Sequence, residues 1–156
     1  MSQSEFKINL QTIHQVVRKG NSYQVVTYSR GRLLDKGGFA EAYEIKDQPY
    51  ALKVVSKSTL SRPKTMQKLR SEIAIHRELD HPNVVKFIKS FEDSSNVYLV
   101  LELCTNESLA DLIKRRRTLE EPEAGFYLKQ IIQAVDYLHN KNVVHRDLKL
   151  GNLFLS

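Results

Sequence analysis

The stretch His145-Arg146-Asp147-Leu148-Lys149-Leu150-Gly151-Asn152 decides the fold of this 156-residue chain. A His-Arg-Asp tripeptide arises easily by chance, but here a lysine follows the aspartate by two positions and an asparagine follows it by five. Apolar runs that read as short strands, Val143-Val144 and Leu153–Leu155, lie on both sides of this polar loop. The loop is therefore the strongest candidate for a functional centre.

Two helices are predicted upstream of the loop. Ser108 and Asp111 have the spacing of a capping box, and the cationic run Lys114–Arg117 suits the end of the same helix, where positive charge favours the helix dipole. Pro122 suits the first turn of the second helix. The apolar residues of this helix cover so much of its circumference that burial on several sides would need more partners than this chain supplies, so we expect part of its apolar face to be exposed here. They are Phe126, Leu128, Ile131, Ile132, Val135 and Leu138.

The first two thirds of the chain have mainly strand-like patterns. Predicted strands are Tyr23–Leu34, Phe39–Ile45, Tyr50–Val55, Val84–Phe91 and Val97–Leu103, of which the first three form an antiparallel meander. Between the third and fourth strands, one amphipathic helix carries Met66, Leu69, Ile73 and His76 on one face. Residues 1–22 lack sustained periodicity and are interpreted as a tail or a short flanking element.

Composition argues against several classes of protein. The formal charge is +6, from 24 Lys and Arg against 18 Asp and Glu, but the basic residues are scattered among acidic ones, so we predict no nucleic-acid partner. Nucleic-acid binding stays the minor alternative. The single cysteine, Cys104, cannot form an internal disulfide, and polar residues interrupt the first twenty positions, so we expect an intracellular chain without a membrane span.

The polar loop resembles the catalytic loop of protein kinases, H-R-D-x-x-x-x-N, and Tyr50-Ala51-Leu52-Lys53 resembles their third-strand V-A-I-K motif. Other stretches resemble the polo-like serine/threonine kinases, including Lys36–Ala40, Glu102–Cys104, Glu121–Ala124 and Lys149–Leu155. The resemblance runs from about Tyr28 to Leu155. It implies an α+β fold with a tail at 1–22, a five-stranded antiparallel N-lobe with one helix and the hinge at 23–104, and part of a helical C-lobe at 105–156.

The resemblance also implies catalytic roles. Asp147 would handle the proton of a substrate hydroxyl, and Asn152 would hold Mg²⁺. Lys149, which serine/threonine kinases share, would offset charge on the transferring phosphoryl group. Lys53 would reach the ATP phosphates and pair with Glu72, 19 residues further on. His145 is interpreted as a packed, structural histidine.

A nucleotide slot for ATP is implied in the same way. Leu34, Ala42, Ala51 and Phe154 would line the adenine, and Glu102 and Cys104 lie where the hinge between the lobes is expected. The glycine-rich loop matches its pattern only weakly, since Gly37 alone falls on a glycine position and Asp35 replaces the first glycine. A carboxylate there would repel the phosphates unless it turns outward.

The resemblance implies a kinase that acts on Ser or Thr of protein substrates, in cell-cycle control, with ATP and Mg²⁺. The D-F-G segment and the activation loop of kinases follow the asparagine of the catalytic loop, and neither is in these 156 residues. Three interpretations stay open: a fragment of a longer active kinase, a natural short kinase-like protein that binds nucleotide or protein without catalysis, and a truncated chain that folds poorly.

Overall fold

The computed structural model describes residues 12–60 and 62–155. They form one antiparallel sheet, with one helix between its fourth and fifth strands and two helices after its last strand. The strands are β1 (Thr12–Lys19), β2 (Ser22–Lys36), β3 (Ala40–Ile45), β4 (Tyr50–Ser56), β5 (Phe87–Glu92) and β6 (Asn96–Glu102), in the spatial order β1-β2-β3-β4-β6-β5. The helices are α1 (Pro63–Arg77), α2 (Leu109–Arg116) and α3 (Glu121–Asn140), with 3-10 turns at Lys57–Leu60 and Leu150–Asn152. The predicted α+β class with an antiparallel sheet is confirmed.

The predicted count of five strands is wrong, because part of the predicted tail forms β1. This strand pairs with β2 from Thr12↔Ser29 to Lys19↔Ser22, which leaves Gly20 and Asn21 as a two-residue turn. Gly20 has a φ of +63°, a conformation that glycine adopts without steric cost. Residues 1–11 of the predicted tail lie outside the described residues.

Three smaller strand predictions also fail. The fifth strand in chain order begins at Phe87 instead of Val84. Val143-Val144 forms no strand, and the predicted strand Leu153–Leu155 is reduced to an isolated bridge between Phe154 and Ser108. Val143-Val144 and Leu153–Leu155 are short and flanked by turns. Such short apolar runs show no hydrophobic periodicity that distinguishes a strand from a loop.

Apolar residues pack on both faces of the sheet. One face buries Ile13, Tyr28, Ile45, Leu52, Val54, Tyr98 and Val100, and Phe91 stacks between Tyr28 and Tyr98 with ring centroids 5.2 and 4.9 Å apart. The other face buries Val55, Leu60, Phe87, Val97 and Leu99 beneath α1. Side chains alternate across a strand, so β4 contributes to both layers. A sheet covered in this way gives its central strands little freedom to shift.

Helix α1 matches its prediction closely. Pro63 lies in its first turn, and Met66, Leu69 and Ile73 pack against the second cluster of the sheet. At its C-terminal end, His76 Nε2 lies 2.8 Å from the Val85 carbonyl oxygen. The predicted apolar face is therefore the face that covers the sheet.

The capping box of α2 is confirmed. The Asp111 N–H donates to Ser108 Oγ at 3.2 Å, and the Ser108 N–H donates to Asp111 Oδ2 at 3.3 Å. Helix α3 carries Pro122 in its first turn, as predicted. The described helices include none with the length and the apolar character that a membrane crossing requires.

The prediction that α3 has more apolar surface than this chain can cover is confirmed, although the prediction that Leu138 is exposed as well is wrong. Leu138 is buried, whereas Phe126, Leu128 and Ile132 are 63%, 56% and 58% exposed. The helix is tied to the sheet region at one end, where the Asp80 N–H donates to the Tyr137 hydroxyl at 2.8 Å. Its outer face is an apolar surface without a partner among the described residues.

This exposed face predicts self-association of the 156-residue chain. Replacing both Phe126 and Ile132 by glutamine should reduce association, because it removes apolar area that water contacts poorly. The same change should shift the free energy of unfolding by no more than about 0.5 kcal/mol, since both side chains are exposed. Sedimentation equilibrium and chemical unfolding measure the two quantities, with Lys129→Gln on the same helix as the control. A wild-type chain that stays monomeric at high concentration and binds no hydrophobic dye would contradict this prediction.

Candidate active site

The polar loop is held in place by the backbone on its C-terminal side. The Leu109 N–H donates to the Leu153 carbonyl at 2.7 Å, and the Leu155 N–H donates to the Glu107 carbonyl at 3.1 Å. These bonds surround the bridge between Ser108 and Phe154. The residues after the loop are therefore fixed to the start of α2, which the capping box stabilises in turn.

The centre of the loop contains a backbone conformation that non-glycine residues rarely adopt. Arg146 has a φ of +65°, in the left-handed region. The Asp147 N–H then donates to His145 Nδ1 at 3.2 Å. His145 itself is exposed, so the expectation of a packed core histidine is wrong. Conformations of this kind cost free energy and cluster at functional sites.

Three predicted site residues meet within this loop. Asn152 Nδ2 donates both to the Asp147 carbonyl and to Asp147 Oδ2, each at 2.8 Å, and Lys149 Nζ lies 3.1 Å from the same Oδ2. The bond from Lys149 and then the bond from Asn152 lower the pKa of Asp147 below its ordinary value. Asp147 is thus held ionised. Since the Asn152 amide nitrogen faces Asp147, its oxygen is left as an acceptor.

The sheet places three further predicted residues on one face. In the antiparallel register Ala42 lies opposite Lys53, Lys53 opposite Leu99, and Ala51 opposite Leu101. Directly opposite residues share a face, so Ala42, Ala51 and Lys53 lie on the side that α1 covers further along. Leu34, near the end of β2, is 38% exposed.

The expected ion pair between Lys53 and Glu72 is not formed. Glu72 Oε1 instead lies 3.8 Å from Lys68 Nζ, one turn earlier on α1. Within residues 12–60 and 62–155, Lys53 has no acidic side chain at ion-pair distance. The roles of Lys53 and Glu72 stay predictions. An ion pair between the two side chains would require a different position or rotamer of Glu72.

The loop between β2 and β3 is a tight turn. The Gly37 N–H donates to the Ala40 carbonyl at 2.9 Å, and Lys36 Nζ lies 3.0 Å from Glu41 Oε1. Asp35 lies opposite Ala42, on the same side of the sheet as Lys53, and its Oδ1 accepts a bond from the Lys36 N–H at 2.8 Å. The carboxylate of Asp35 is therefore on the predicted nucleotide side.

The segment after β6 leaves backbone groups available. The Glu102 carboxylate turns toward β5, since the Lys86 N–H donates to Glu102 Oε2 at 3.0 Å. Among the described residues, none forms a hydrogen bond with the N–H or C=O of Cys104. Burial, followed by the charge of Glu102, raises the pKa of the half-buried Cys104 thiol. Phe154 is 54% exposed beside this segment of the chain.

A depression of about 520 Å³ lies elsewhere on the described surface. Its lining comprises Pro49, Tyr50, Asp80, His81, Pro82, Val84, Lys86, Ile88 and Glu102, so Glu102 is the one predicted site residue that it includes. None of its residues belongs to the polar loop. We place the candidate active site at the polar loop, because hydrogen bonds there fix a carboxylate, an ammonium and an amide within reach of one another. That the sheet face with Lys53 belongs to the same site stays a prediction.

Comparison with known proteins identifies the family of the chain. The protein kinase domain family matches residues 28–156. The chain therefore belongs to the protein kinase family. Within that family it is of the polo-like serine/threonine type, as the relatives below indicate.

Three curated relatives are similar to this chain. It is 52% identical over 130 residues to the cell cycle serine/threonine-protein kinase CDC5/MSD2 of Saccharomyces cerevisiae and 52% identical over 134 residues to the serine/threonine-protein kinase polo of Drosophila melanogaster. It is 46% identical over 147 residues to the probable serine/threonine-protein kinase PLK of Dictyostelium discoideum. These matches cover 81%, 83% and 92% of this chain, but only 18%, 23% and 15% of the relatives.

The geometry of the loop predicts a pH effect of Lys149. Replacing it by methionine should raise the pKa of Asp147 toward its ordinary value, since Lys149 is the largest cause of the lowering. A lowered folded-state pKa means that ionised Asp147 stabilises the fold above the unfolded pKa, and that this contribution is lost as the pH falls through the folded pKa. The variant should therefore lose less stability on acidification.

A carbon-detected NMR titration of the Asp147 carboxyl measures this shift directly. Lys141→Met, which removes an exposed cation just after α3, is the matched control and should leave the Asp147 pKa unchanged. Equal Asp147 pKa values in the wild type and in Lys149→Met would show that the contact between the two residues does not persist in solution.

Proposed function

We propose that this site transfers the γ-phosphoryl group of ATP to a Ser or Thr hydroxyl of a protein substrate, when the chain is part of a complete kinase domain. The observation that carries the proposal is the ionised Asp147, fixed by Asn152 and Lys149 on a left-handed turn. A carboxylate held in this way can orient an incoming hydroxyl and accept its proton.

Asp147 has the geometry for this role because only one of its oxygens is fully engaged. Oδ2 accepts from Asn152 and faces Lys149, which leaves Oδ1 to accept the substrate hydroxyl. Lys149 lies close enough to place positive charge beside the reacting group, where charge develops during transfer. The lowered pKa keeps Asp147 in the acceptor form at neutral pH.

The residues present fit ATP with Mg²⁺ in part. The Asn152 amide oxygen is oriented away from Asp147 and is an oxygen ligand of the kind that Mg²⁺ prefers. The described residues include no group of three His, Cys, Asp or Glu that could hold a metal by themselves. When bound, the metal would neutralise phosphate charge. Asn152 would supply one protein ligand.

The sheet face supplies the predicted nucleotide contacts. Ala42 and Ala51 are small residues beside Lys53, so a flat base can approach the sheet while the Lys53 ammonium extends toward the phosphates. The free backbone groups of Cys104 suit hydrogen bonds to the edge of adenine. Leu34 and Phe154 are partly exposed apolar side chains available to cover the base, and Gly37 lies in the turn above the phosphates.

Substrates and cellular role follow from similarity alone. The relatives are named serine/threonine-protein kinases, and one of them is named a cell cycle kinase. Serine/threonine kinases share a lysine two positions after the aspartate, as at Lys149, so this residue favours serine or threonine over tyrosine as the phosphate acceptor. We therefore propose protein substrates modified during the cell cycle, in the cytoplasm or nucleus, with neither nucleic acid nor membrane as a partner.

A second function, nucleotide binding without transfer, is favoured by two observations. Glu72 pairs with Lys68 and leaves Lys53 without its expected partner. The 156 residues contain no Asp-Phe-Gly sequence to supply the second magnesium-binding side chain of kinases. In this alternative, adenine contacts persist while the charge-stabilising part of the site is incomplete.

Asp35 predicts a measurable effect on nucleotide affinity. Replacing Asp35 by glycine should tighten ATP binding by about fivefold in a complete kinase domain, because it removes a negative charge from the phosphate side of the sheet. Asp35→Asn should give a similar gain, since it removes the charge and keeps the shape. Calorimetric titration measures both affinities, with Asp47→Asn in the turn after β3 as the control. Unchanged or weaker binding in both Asp35 variants would show that the carboxylate does not oppose the phosphates.

An assay of phosphate transfer distinguishes the proposed kinase function from nucleotide binding without transfer. We predict that the 156-residue chain transfers no phosphate to a casein-like acceptor, whereas a longer form that includes an activation segment phosphorylates it on Ser or Thr. In the longer form, Asp147→Asn should reduce turnover by loss of the proton acceptor, and Lys53→Met by loss of phosphate positioning. Each reduction should be on the order of a hundredfold or more.

Radiolabelled phosphate incorporation measures these rates, and Lys141→Met is the control with an intact site. Turnover by the 156-residue chain that disappears in its own Asp147→Asn variant would refute the requirement for a further magnesium ligand. A longer form that binds ATP but never transfers phosphate would favour the second function.

A further inference from the structure

A threonine directly follows the cations that end α2. Thr118 comes after the run Lys114–Arg117, and Leu119 comes next. The helix dipole explains the cations. It does not explain why an exposed hydroxyl and then an apolar residue follow them, and the proposed catalytic site uses neither.

The structure leaves Thr118 open to a second protein. It lies between α2 and α3 with an exposed side chain, and none of the described residues forms a hydrogen bond with its hydroxyl or its backbone. Arg117, with a φ of +69°, turns the chain out of α2, and Glu120 is extended with a φ of −68° and a ψ of 148°. A hydroxyl in such a segment can enter another enzyme's active site without breaking a hydrogen bond of its own residue.

We propose that Thr118 is a phosphorylation site for a separate serine/threonine kinase whose substrate groove carries carboxylates opposite the second and third residues before the acceptor. Arg115 and Arg116 occupy those two positions. Guanidinium groups bind carboxylates through paired, charge-assisted hydrogen bonds, and charge patterns of this kind set kinase specificity. Leu119 suits an apolar pocket for the residue after the acceptor.

The transfer step balances with ATP as the co-reactant. Thr118 Oγ1 forms a bond to the γ-phosphorus of ATP, and the bond from that phosphorus to the bridging β–γ oxygen breaks. ADP leaves with that oxygen. The hydroxyl proton passes to the base of the modifying kinase.

To bind in the groove of the modifying kinase, Arg115 and Arg116 must leave the ion pairs that they form within this chain. Arg115 forms an ion pair with Glu107, and Arg116 Nη1 lies 2.7 Å from Glu123 Oε1. Both arginine side chains are largely exposed, and solvent screens such pairs strongly. The arginines also lie in the last turn of α2, where a helix opens most readily.

Two other hydroxyls provide an internal comparison. Thr65 and Ser71 also follow a cation by three positions, namely Arg62 and Lys68. Both lie within α1, where the Thr65 N–H donates to the Arg62 carbonyl at 2.9 Å and the Ser71 hydroxyl donates to a carbonyl one turn earlier at 3.0 Å. The fold therefore favours Thr118 over both as the acceptor.

The test incubates the 156-residue chain with the catalytic subunit of cAMP-dependent protein kinase and ATP, followed by mass-spectrometric mapping of phosphate. Thr118 should carry most of the phosphate. Thr118→Ala should lower total incorporation by about tenfold, and Thr118→Ser should retain it. Arg115→Gln and Arg116→Gln should each slow modification by about fivefold or more, because each removes a charged contact. Lys129→Gln, an exposed cation on α3, should have no effect.

A reaction without the added kinase measures any transfer by the chain itself and is subtracted. Three results would each overturn the proposal: absence of phosphate on Thr118 in the folded chain, faster modification of Thr65 or Ser71 than of Thr118, and unchanged incorporation in Thr118→Ala. Equal rates of Thr118 phosphorylation in the wild type and in both arginine variants would contradict the proposal that carboxylates of the modifying kinase recognise Arg115 and Arg116.

Discussion

The register of β4 between β3 and β6 is the constraint on which the candidate site depends. Leu52 and Val54 point into one apolar layer, while Ala51, Lys53 and Val55 point to the opposite side. A slip of one residue would bury Lys53 in the first layer and expose Leu52, so burial on both faces fixes the register. The same alternation brings Ala42 beside Lys53 on the proposed nucleotide side.

The polar loop is the second part of the candidate site, and local interactions hold it in place. The capping box of Ser108 and Asp111 starts α2, and backbone bonds from that start hold the chain that follows Asn152. Within the loop, the left-handed Arg146 directs Asp147 toward Lys149 and Asn152. Short-range geometry therefore orients the carboxylate of Asp147 before any substrate is present, which would reduce the reorganisation required for the proposed transfer.

Much of this arrangement could be predicted from the sequence, because its signals are local. The strands β3 and β4, the helix α1 and the capping box of α2 follow from alternation, helical spacing and cap residues. The hairpin of β1 was missed, although Gly20-Asn21 between two polar–apolar runs is a recognised turn signal. Its exposed Val16 and Val25 break the expected alternation of burial.

Other features could not be predicted, because they depend on competition between contacts. Glu72 can pair with Lys53 on the sheet or with Lys68 four residues earlier, and the pair within the helix needs no change in the packing of α1. The exposure of Phe126 and Ile132 on α3 agrees with the sequence, but the burial of Leu138 on the same helix could not be predicted from it. Sequence periodicity reports which side chains are apolar, but it does not report which partner is present.

The central claim is that the sheet face beside Lys53 and the polar loop form one nucleotide site. The most direct measurement is a backbone NMR titration of the isotopically labelled chain with Mg²⁺ and a non-hydrolysable ATP analogue. The account predicts amide shift changes at Gly37, Ala42, Lys53, Cys104 and Asn152. Changes confined to the depression lined by Pro49, His81 and Lys86, with none at Lys53 or Asn152, would contradict it.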